Sequence, residues 1–396
     1  MKTIGFVTPW YGDKIPGGAE MELRGLVKHL IAAGVKCEIL TTCVEKFGSD
    51  WNVNYHKAGF TVEGGVPVRR FRVRKRDTAA FDQVNAKLMQ GKPVSESEEN
   101  IYQTEMINSP ELYAFIEKKQ EEYSLFVFIP YMFGTTYQGC QICPKKSILI
   151  PCLHDESYAY MLNLKRAFSN VAGMIFHSEP ERLLAEHLYG QSGEGFANLG
   201  EGLDTDFETS AERFRKKYHI DQSFILYAGR KEEGKRVHVL VDYFARYKRR
   251  NSSDLKLVLI GGGEIDLPSE DIIDLGFVPA QDKYDAYAAA SVFCNPSQFE
   301  SFSLVIMESW LAGRPVIVNG DCAVTRSFVS QCNGGLYYEN YLEFEKCVTY
   351  MLTHAEVANQ MGQNGQKFVQ GNFTWDVIVD RYKKYFEQME QRANER

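Results

Sequence analysis

A chain of 396 residues is about twice the ~100–200 of a single domain, and 44% hydrophobic against 24% charged residues places it among ordinary globular proteins. Its 32 glycines and 13 prolines follow no repeat, which excludes collagen-like, coiled-coil and low-complexity classes. The formal net charge of -7 gives no general attraction to nucleic acid, so none is expected as a partner and any anion site must be local.

Met1–Gly12 holds one lysine and a short apolar run broken by Pro9, unlike the apolar region of a signal peptide, and the nine cysteines are odd in number and scattered. A reducing, cytoplasmic location is expected. Lys2–Thr8 reads as a strand, Pro9–Gly18 as a turn-rich loop, and Leu23, Leu26, Val27 and Leu30 fall at helical spacing up to a stop at Gly34. Val35–Leu40 is a second strand, which completes a βαβ unit and implies a parallel sheet covered by helices. Arg69, Arg70, Arg72, Arg74, Lys75 and Arg76 alternate with Val68, Phe71 and Val73, the pattern of an edge strand with solvated arginines. The other reading of Arg69–Arg76 is weak peripheral contact with an anionic membrane surface, at the inner face.

Residues 77–123 are polar and helix-leaning, and read as an insertion decorating the first sheet. Leu125–Phe133 is a buried strand, too short for the ~20 residues that cross a bilayer. Cys140 and Cys143 suit the start of a helix. With Cys152 and His154 they suggest zinc, but a single C-x-x-C without a second pair predicts no metal. After the Gly- and Asp-rich linker Gly200–Phe207 the α/β grammar returns, with strands at Phe224–Ala228, Leu255–Ile260, Val292–Asn295 and Val316–Val318 and helices at Val237–Tyr247 and Leu304–Leu311. From Trp375, the spacing of Val377, Ile378, Tyr382, Tyr385 and Phe386 marks one long amphipathic helix. The expected division is a domain over 1–205 with the helical insertion 77–123, a second over 206–375, and a helix over 376–396 returning to the first.

Ligands in open α/β sheets bind outside the carboxyl ends of the strands, and two such domains facing each other would enclose a cleft. Four segments fall at such places. Gly17-Gly18-Ala19-Glu20 follows the first strand, and its glycines admit backbone N–H groups to a phosphate or sugar, although a plain glycine turn feeding a helix fits as well. His154-Asp155-Glu156 follows Ile148–Leu153, where His154 suits contact with a hydroxyl or a departing phosphate, or else caps the next helix. Gly229-Arg230-Lys231-Glu232-Glu233-Gly234-Lys235 follows the strand Phe224–Ala228, so Arg230 and Lys235 can converge on a diphosphate, or form a solvated Lys/Glu turn. Glu300-Ser301-Phe302-Ser303-Leu304 runs into a helix that carries Glu308 two turns on, which frames a donor-rich turn with two carboxylates.

In this order the segments resemble the GT-B fold, and within it the retaining family 4 glycosyltransferases with their E-x7-E signature at Glu300 and Glu308. The resemblance runs on through Gly202-Leu203-Asp204, Leu275-Gly276-Phe277-Val278, Ala312-Gly313-Arg314-Pro315 and Phe373-Thr374-Trp375. It implies two Rossmann-like domains and transfer of a hexosyl unit, with retention, from a UDP- or GDP-sugar to a carbohydrate, lipid-linked or other hydroxyl acceptor. No cofactor is implied beyond that donor substrate. Arg230, Lys235, Glu300 and His154 are implied as catalytic. Gly17, Gly18, Val278, Ser301, Phe302, Ser303, Leu304 and Glu308 are implied as donor-binding, with Glu308 on the ribose and Val278 near the base. Ser301 and Ser303 depart from the glycines common in that turn, and their side chains narrow the sugar pocket. A nucleotide-sugar-binding protein without turnover is the alternative.

Overall fold

The computed structural model describes residues 2–15, 17–190 and 193–395. The chain divides into two compact units, Met1–Gly202 with Trp375–Arg396, and Leu203–Thr374. The passage between them falls at Gly202/Leu203, a few residues before the expected 205/206. Beside it the Leu203 N–H donates to the Phe373 carbonyl at 2.9 Å, where the chain prepares to return.

The first unit runs β1 (Thr3–Thr8), α1 (Gly18–Ala32), β2 (Cys37–Thr42), β3 (Gly59–Glu63), β4 (Val66–Phe71), α2 (Thr78–Met89), α3 (Glu96–Glu105), α4 (Pro110–Lys119), β5 (Tyr123–Phe128), α5 (Gly134–Gly139), β6 (Ser147–Leu149), α6 (Leu162–Phe168), β7 (Gly173–Phe176), α7 (Glu179–Tyr189) and β8 (Phe196–Asn198). Its strands form one sheet in the order β3-β4-β2-β1-β5-β6-β7-β8, parallel except for the β3/β4 hairpin. Helices cover both faces, so β1 and β5 are apolar along nearly their whole length rather than in alternation.

Two expectations change here. The basic stretch is not an edge: β4 lies between β2 and β3, and β3 is the exposed rim. Four of the arginines each meet a carboxylate, and of these only Arg72 is mostly solvated. Arg69 pairs with Glu38 at 2.8 Å, Arg70 is buried on Glu63, Arg72 meets Glu111 at 3.3 Å and Arg74 meets Glu105 at 3.1 Å. Arg76 lies over the rings of Trp51 and Phe81. Residues 77–123, in turn, are more than decoration. Asp77, Ser95 and Ser109 cap α2, α3 and α4 by accepting from backbone N–H groups, Ser95 with Glu98 in a capping box. The apolar stripes of these helices (Phe81, Val84, Leu88, Tyr102, Leu112, Ile116) join the main core of the unit.

The second unit runs α8 (Ala211–Tyr218), β9 (Phe224–Ala228), α9 (Val237–Arg250), β10 (Lys256–Ile260), β11 (Ile272–Asp274), α10 (Ala280–Ala289), β12 (Val292–Asn295), α11 (Leu304–Leu311), β13 (Val316–Asn319), α12 (Ala323–Cys332), β14 (Gly335–Tyr338), α13 (Tyr341–Thr353) and α14 (Ala355–Asn372). Its sheet is wholly parallel, in the order β11-β10-β9-β12-β13-β14.

The last helix, α15 (Trp375–Glu395), belongs to the first unit. It buries Ile378, Tyr382, Tyr385, Phe386 and Met389, each worth ~1.5–3 kcal/mol relative to exposure. Its first residue explains two glycines: a Cβ on Gly25 or Gly202 would stand 2.4 or 2.2 Å from the Trp375 ring, which also stacks on His29 at 4.4 Å. No described helix is long and apolar enough to cross a membrane.

Candidate active site

In the second unit the central strand β9 ends in Ala228, and its next residues turn out over the sheet edge. Lys231, the middle cation of this loop, is not available to a ligand. Its side chain is 1% exposed, and its ammonium is spent on the Gly261 carbonyl at 2.5 Å and on Asp274 at 2.9 Å, which pins the loop to the turn after β10 and to the last residue of β11. Arg230 and Lys235 stand on either side of this anchor. Arg230 is 63% exposed and touches Glu232 at 2.9 Å. Lys235 closes a single 3-10 turn, Glu233–Lys235, and donates to Glu300 at 2.8 Å. The structure thus brings Lys235 and Glu300 into direct contact across two loops, each following a neighbouring strand, β9 and β12.

Glu300 leads into the N-terminus of α11. Ser303, its N-cap, sits at φ 81°, and its hydroxyl accepts from the Asn295 side-chain amide at 2.8 Å, so the end of β12 fixes the turn. The Phe302 ring is 2% exposed and packs edge-on against Phe328 and Phe373, so its side chain belongs to the core, while Ser301 stays half-buried beside it. Leu304 is half-buried as well, and Ile306, Met307 and Trp310 carry the packed face of α11. Glu308, two turns in, accepts from the Lys283 ammonium at 2.6 Å and the Tyr287 hydroxyl at 2.9 Å, both from α10. Sequence reasoning missed these two partners. Their spacing of four on one helix is the only signal that could have paired them with one carboxylate. Burial, and then Glu308, push the Tyr287 hydroxyl well above the usual tyrosine range, so it stays a donor. Val278 is half-buried in the loop between β11 and α10, next to Phe277, whose ring is 83% exposed and lies against Gly262.

In the first unit Gly17 takes φ 143°, and a Cβ there would lie 1.9 Å from the Glu20 carboxylate, which accepts from the Trp10 indole at 2.6 Å. A side chain at Gly18 would meet nothing within 4 Å. His154 follows β6 and is 32% exposed, with its Nδ1 3.5 Å from Glu156. Behind it lies a buried cluster the sequence did not announce. His177, at the end of β7, meets Glu22 of α1 through Nε2 at 2.5 Å and Glu181 of α7 through Nδ1 at 3.5 Å. Burial alone would push the His177 ring down, but the two carboxylates overcome this and hold it well above the ordinary imidazole range. Glu181 also accepts from the backbone N–H groups of Leu153 and His177, each at 2.7 Å, so one carboxylate ties the His154 loop to the end of β7. Cys152, at φ 50°, lies 3.6 Å from Glu22.

Cys140 closes the short helix α5, Cys143 stands before the 3-10 turn Pro144–Lys146, and both are buried. Burial pushes the Cys143 thiol up to about 11 and Cys140 higher still, so neither is a ready thiolate. Among the described residues, the one group of three His, Cys, Asp or Glu side chains close enough to share an ion is Glu22, Cys152 and His177, which excludes that pair.

Comparison with known proteins follows this division. Residues 210–368 match the family model described as glycosyl transferases group 1. The chain is 27% identical over 193 residues to an uncharacterized glycosyltransferase of Methanocaldococcus jannaschii, covering 44% of this chain and 49% of that one. It is 26% identical over 226 residues to a GDP-mannose-dependent alpha-mannosyltransferase of Mycolicibacterium smegmatis, covering 53% and 58%. The chain spans about half the length of the curated relatives it matches. Among solved structures, sucrose-phosphate synthase of Thermosynechococcus elongatus is similar with TM-score 0.71 at 16% identity, over 98% of this chain and 99% of that one. HepE of Anabaena in complex with UDP gives 0.71 at 16%, over 98% and 100%. The chain has the GT-B fold of these glycosyltransferases, and residues 210–368 of its second unit match the group 1 glycosyl transferase family.

Proposed function

We propose that the protein transfers a hexosyl unit from a UDP- or GDP-sugar to a hydroxyl acceptor, with retention of anomeric configuration and without a divalent metal. The observation that carries this is the Arg230, Lys235 and Glu300 constellation, in which two cations flank a loop anchored by Lys231 and one of them already holds the carboxylate before the α11 N-terminus. An ammonium has three donors, so Lys235 can keep Glu300 and still donate to a phosphate oxygen. In the reaction the acceptor oxygen bonds to the anomeric carbon on the face that the leaving diphosphate vacates. The bond from that carbon to the phosphate oxygen breaks, and the acceptor's proton passes to the departing phosphate. Negative charge grows on the diphosphate as this happens, and fixed cations are the means to stabilise it. Glu300 is assigned to the transferred sugar and Glu308 to the ribose hydroxyls of the donor, and His154 of the first unit is assigned to a hydroxyl. The GDP-mannose dependence of one relative and the UDP bound to one structural neighbour support a nucleoside diphosphate at this place.

The test is a panel of UDP- and GDP-sugars scored by thermal stabilisation and donor turnover, with the anomeric configuration of the product read by NMR. A donor at 100 times its Kd adds about 2.7 kcal/mol. Stabilisation with no turnover in any acceptor mixture would favour a binding protein. No stabilisation by any member would remove the proposal.

A further inference from the structure

The first unit contains a cavity that the His154-Asp155-Glu156 segment reaches through its two acids. The connection from α2 to α3 and the loop from Asp155 to Leu162 enclose about 520 Å³, within the ~300–1,000 Å³ of small-ligand sites. One wall is apolar, built from Leu88, Pro93, Val94, Met161 and Leu162, of which Leu162 is 51% exposed. Tyr160 contributes a ring that is 54% exposed, and its hydroxyl donates to Asp155 Oδ1 at 2.6 Å, which orients the carboxylate beside the ring. The other wall is acidic. Asp155, Glu156 and Glu99 face a single cation, Lys92. Glu99 is occupied by the backbone N–H groups of Leu162 and Asn163 at 3.0 and 2.9 Å, so it shapes the wall rather than serving a ligand. Glu156 uses Oε1 for Tyr131 at 3.0 Å and for His154 at 3.5 Å, so one carboxylate of the wall also touches the candidate catalytic histidine, which stands just outside the lining.

An apolar wall and an exposed tyrosine facing carboxylates suit a ring with one C–H face and a rim of hydroxyls, since ionised carboxylates are strong acceptors for O–H donors. The same carboxylates repel an anion, which would find three negative charges and one positive. Resting on the transferase reading above, we infer that this cavity seats the acceptor as a neutral or amino-bearing pyranose, with the hydroxyl to be glycosylated directed to His154, and that it rejects sugars carrying phosphate or carboxylate on that ring.

The experiment is ligand-observed saturation-transfer NMR on the full chain, with methyl α-glucopyranoside, methyl α-mannopyranoside, glucosamine and glucose 6-phosphate as probes. UDP and GDP are titrated in the same samples. At least one neutral or amino probe should give a signal that falls fivefold or more in both Tyr160→Ala and Asp155→Asn, while glucose 6-phosphate gives none and nucleotide affinity is unchanged. The inference is overturned if no neutral or amino probe responds, if the response survives both substitutions, or if the phosphate binds as well as the neutral sugars. Nucleotide binding reports on the transferase reading separately. Its absence in the wild type would strike that reading, while a Tyr160-dependent pyranoside signal would still support a sugar site.

Discussion

Both units place carboxylates against bases near the carboxyl ends of parallel strands, but they do so in two different solvents. In the first unit the side chains of Glu22, His177 and Glu181 are 4%, 1% and 0% exposed. In the second, Lys235 and Glu300 are 29% and 11% exposed, and Lys283 and Glu308 are 28% and 14%. A desolvated cluster cannot exchange partners without exposing a charge to a medium that penalises it by several kcal/mol. A pair at the boundary is worth ~0–1 kcal/mol and can be traded for a ligand. Similar groups therefore do different work: the buried set holds loops in place, and the half-exposed set is available to bind.

The largest effect should come from the buried set. His177→Ala leaves the Glu22 and Glu181 carboxylates facing each other without a cation, and breaking such a pair typically costs about 3–5 kcal/mol, read as the denaturation midpoint. The pH dependence has a definite sign. The folded His177 ring is held above the ordinary value of 6.5, so its contribution is complete below that value and disappears as pH rises through the higher folded one. Wild-type stability should show this alkaline loss, and the variant should lack it. A midpoint within 1 kcal/mol of the wild type would erase the contrast between the two units.

The half-exposed set should behave in the opposite way. Arg230→Ala or Lys235→Ala should lower turnover by roughly 100-fold or more, as loss of one charge-stabilising donor does in other enzymes. Stability should change by less than about 1 kcal/mol. Wild-type turnover at saturating donor in either variant would take this loop out of the reaction.

Legibility in the sequence divides along the same line. The strand at Val292–Asn295 and the helix at Leu304–Leu311 coincide with β12 and α11 because an apolar run bounded by turn residues is a local signal. Arg230, Lys235, Glu300 and Glu308 stood out because they lie in or beside such turns. The Glu22–His177 pair is 155 residues apart, and no local pattern distinguishes Glu22 from a solvated helix glutamate until β7 and α1 meet. The basic strand misled for a related reason. Alternation tells which residues share a face, but the partners that neutralise Arg69, Arg70 and Arg74 come from Glu38, Glu63 and Glu105, on other elements. Phe302 lies in a ligand-binding pattern, yet its ring is core, because turn geometry assigns the backbone and leaves the side chain to tertiary packing.

A finer cut separates the two acids of the second unit. Glu308→Ala should weaken free UDP or GDP by one or two charged hydrogen bonds, about 1.5–3 kcal/mol each, as measured by calorimetry. That variant also strips Lys283 and the buried Tyr287 hydroxyl of their acceptor, so Tyr287→Phe is the control and should leave nucleotide affinity nearly unchanged. Glu300→Ala should spare the free nucleotide and reduce turnover. The reverse ranking would exchange the two roles.

The smallest expected effect is none, and it bears on both units at once. If Arg230 and Lys235 supply the charge that a divalent ion would otherwise bring, activity should persist in excess EDTA. Glu22, Cys152 and His177 are the described groups whose ligand atoms lie closest to a common ion, within 4.8 Å of one another. Their closest contact, 2.5 Å between His177 Nε2 and Glu22 Oε1, is a hydrogen-bond distance, and an ion bound by both would hold those atoms further apart. Chelation should therefore leave the melting temperature unchanged as well. Loss of activity restored by magnesium or manganese, at constant melting temperature, would place a cation in the second unit and contradict the fixed-cation mechanism. A drop in melting temperature restored by zinc would instead make the buried cluster a metal site, and His177 would then be a ligand rather than the cation between two carboxylates.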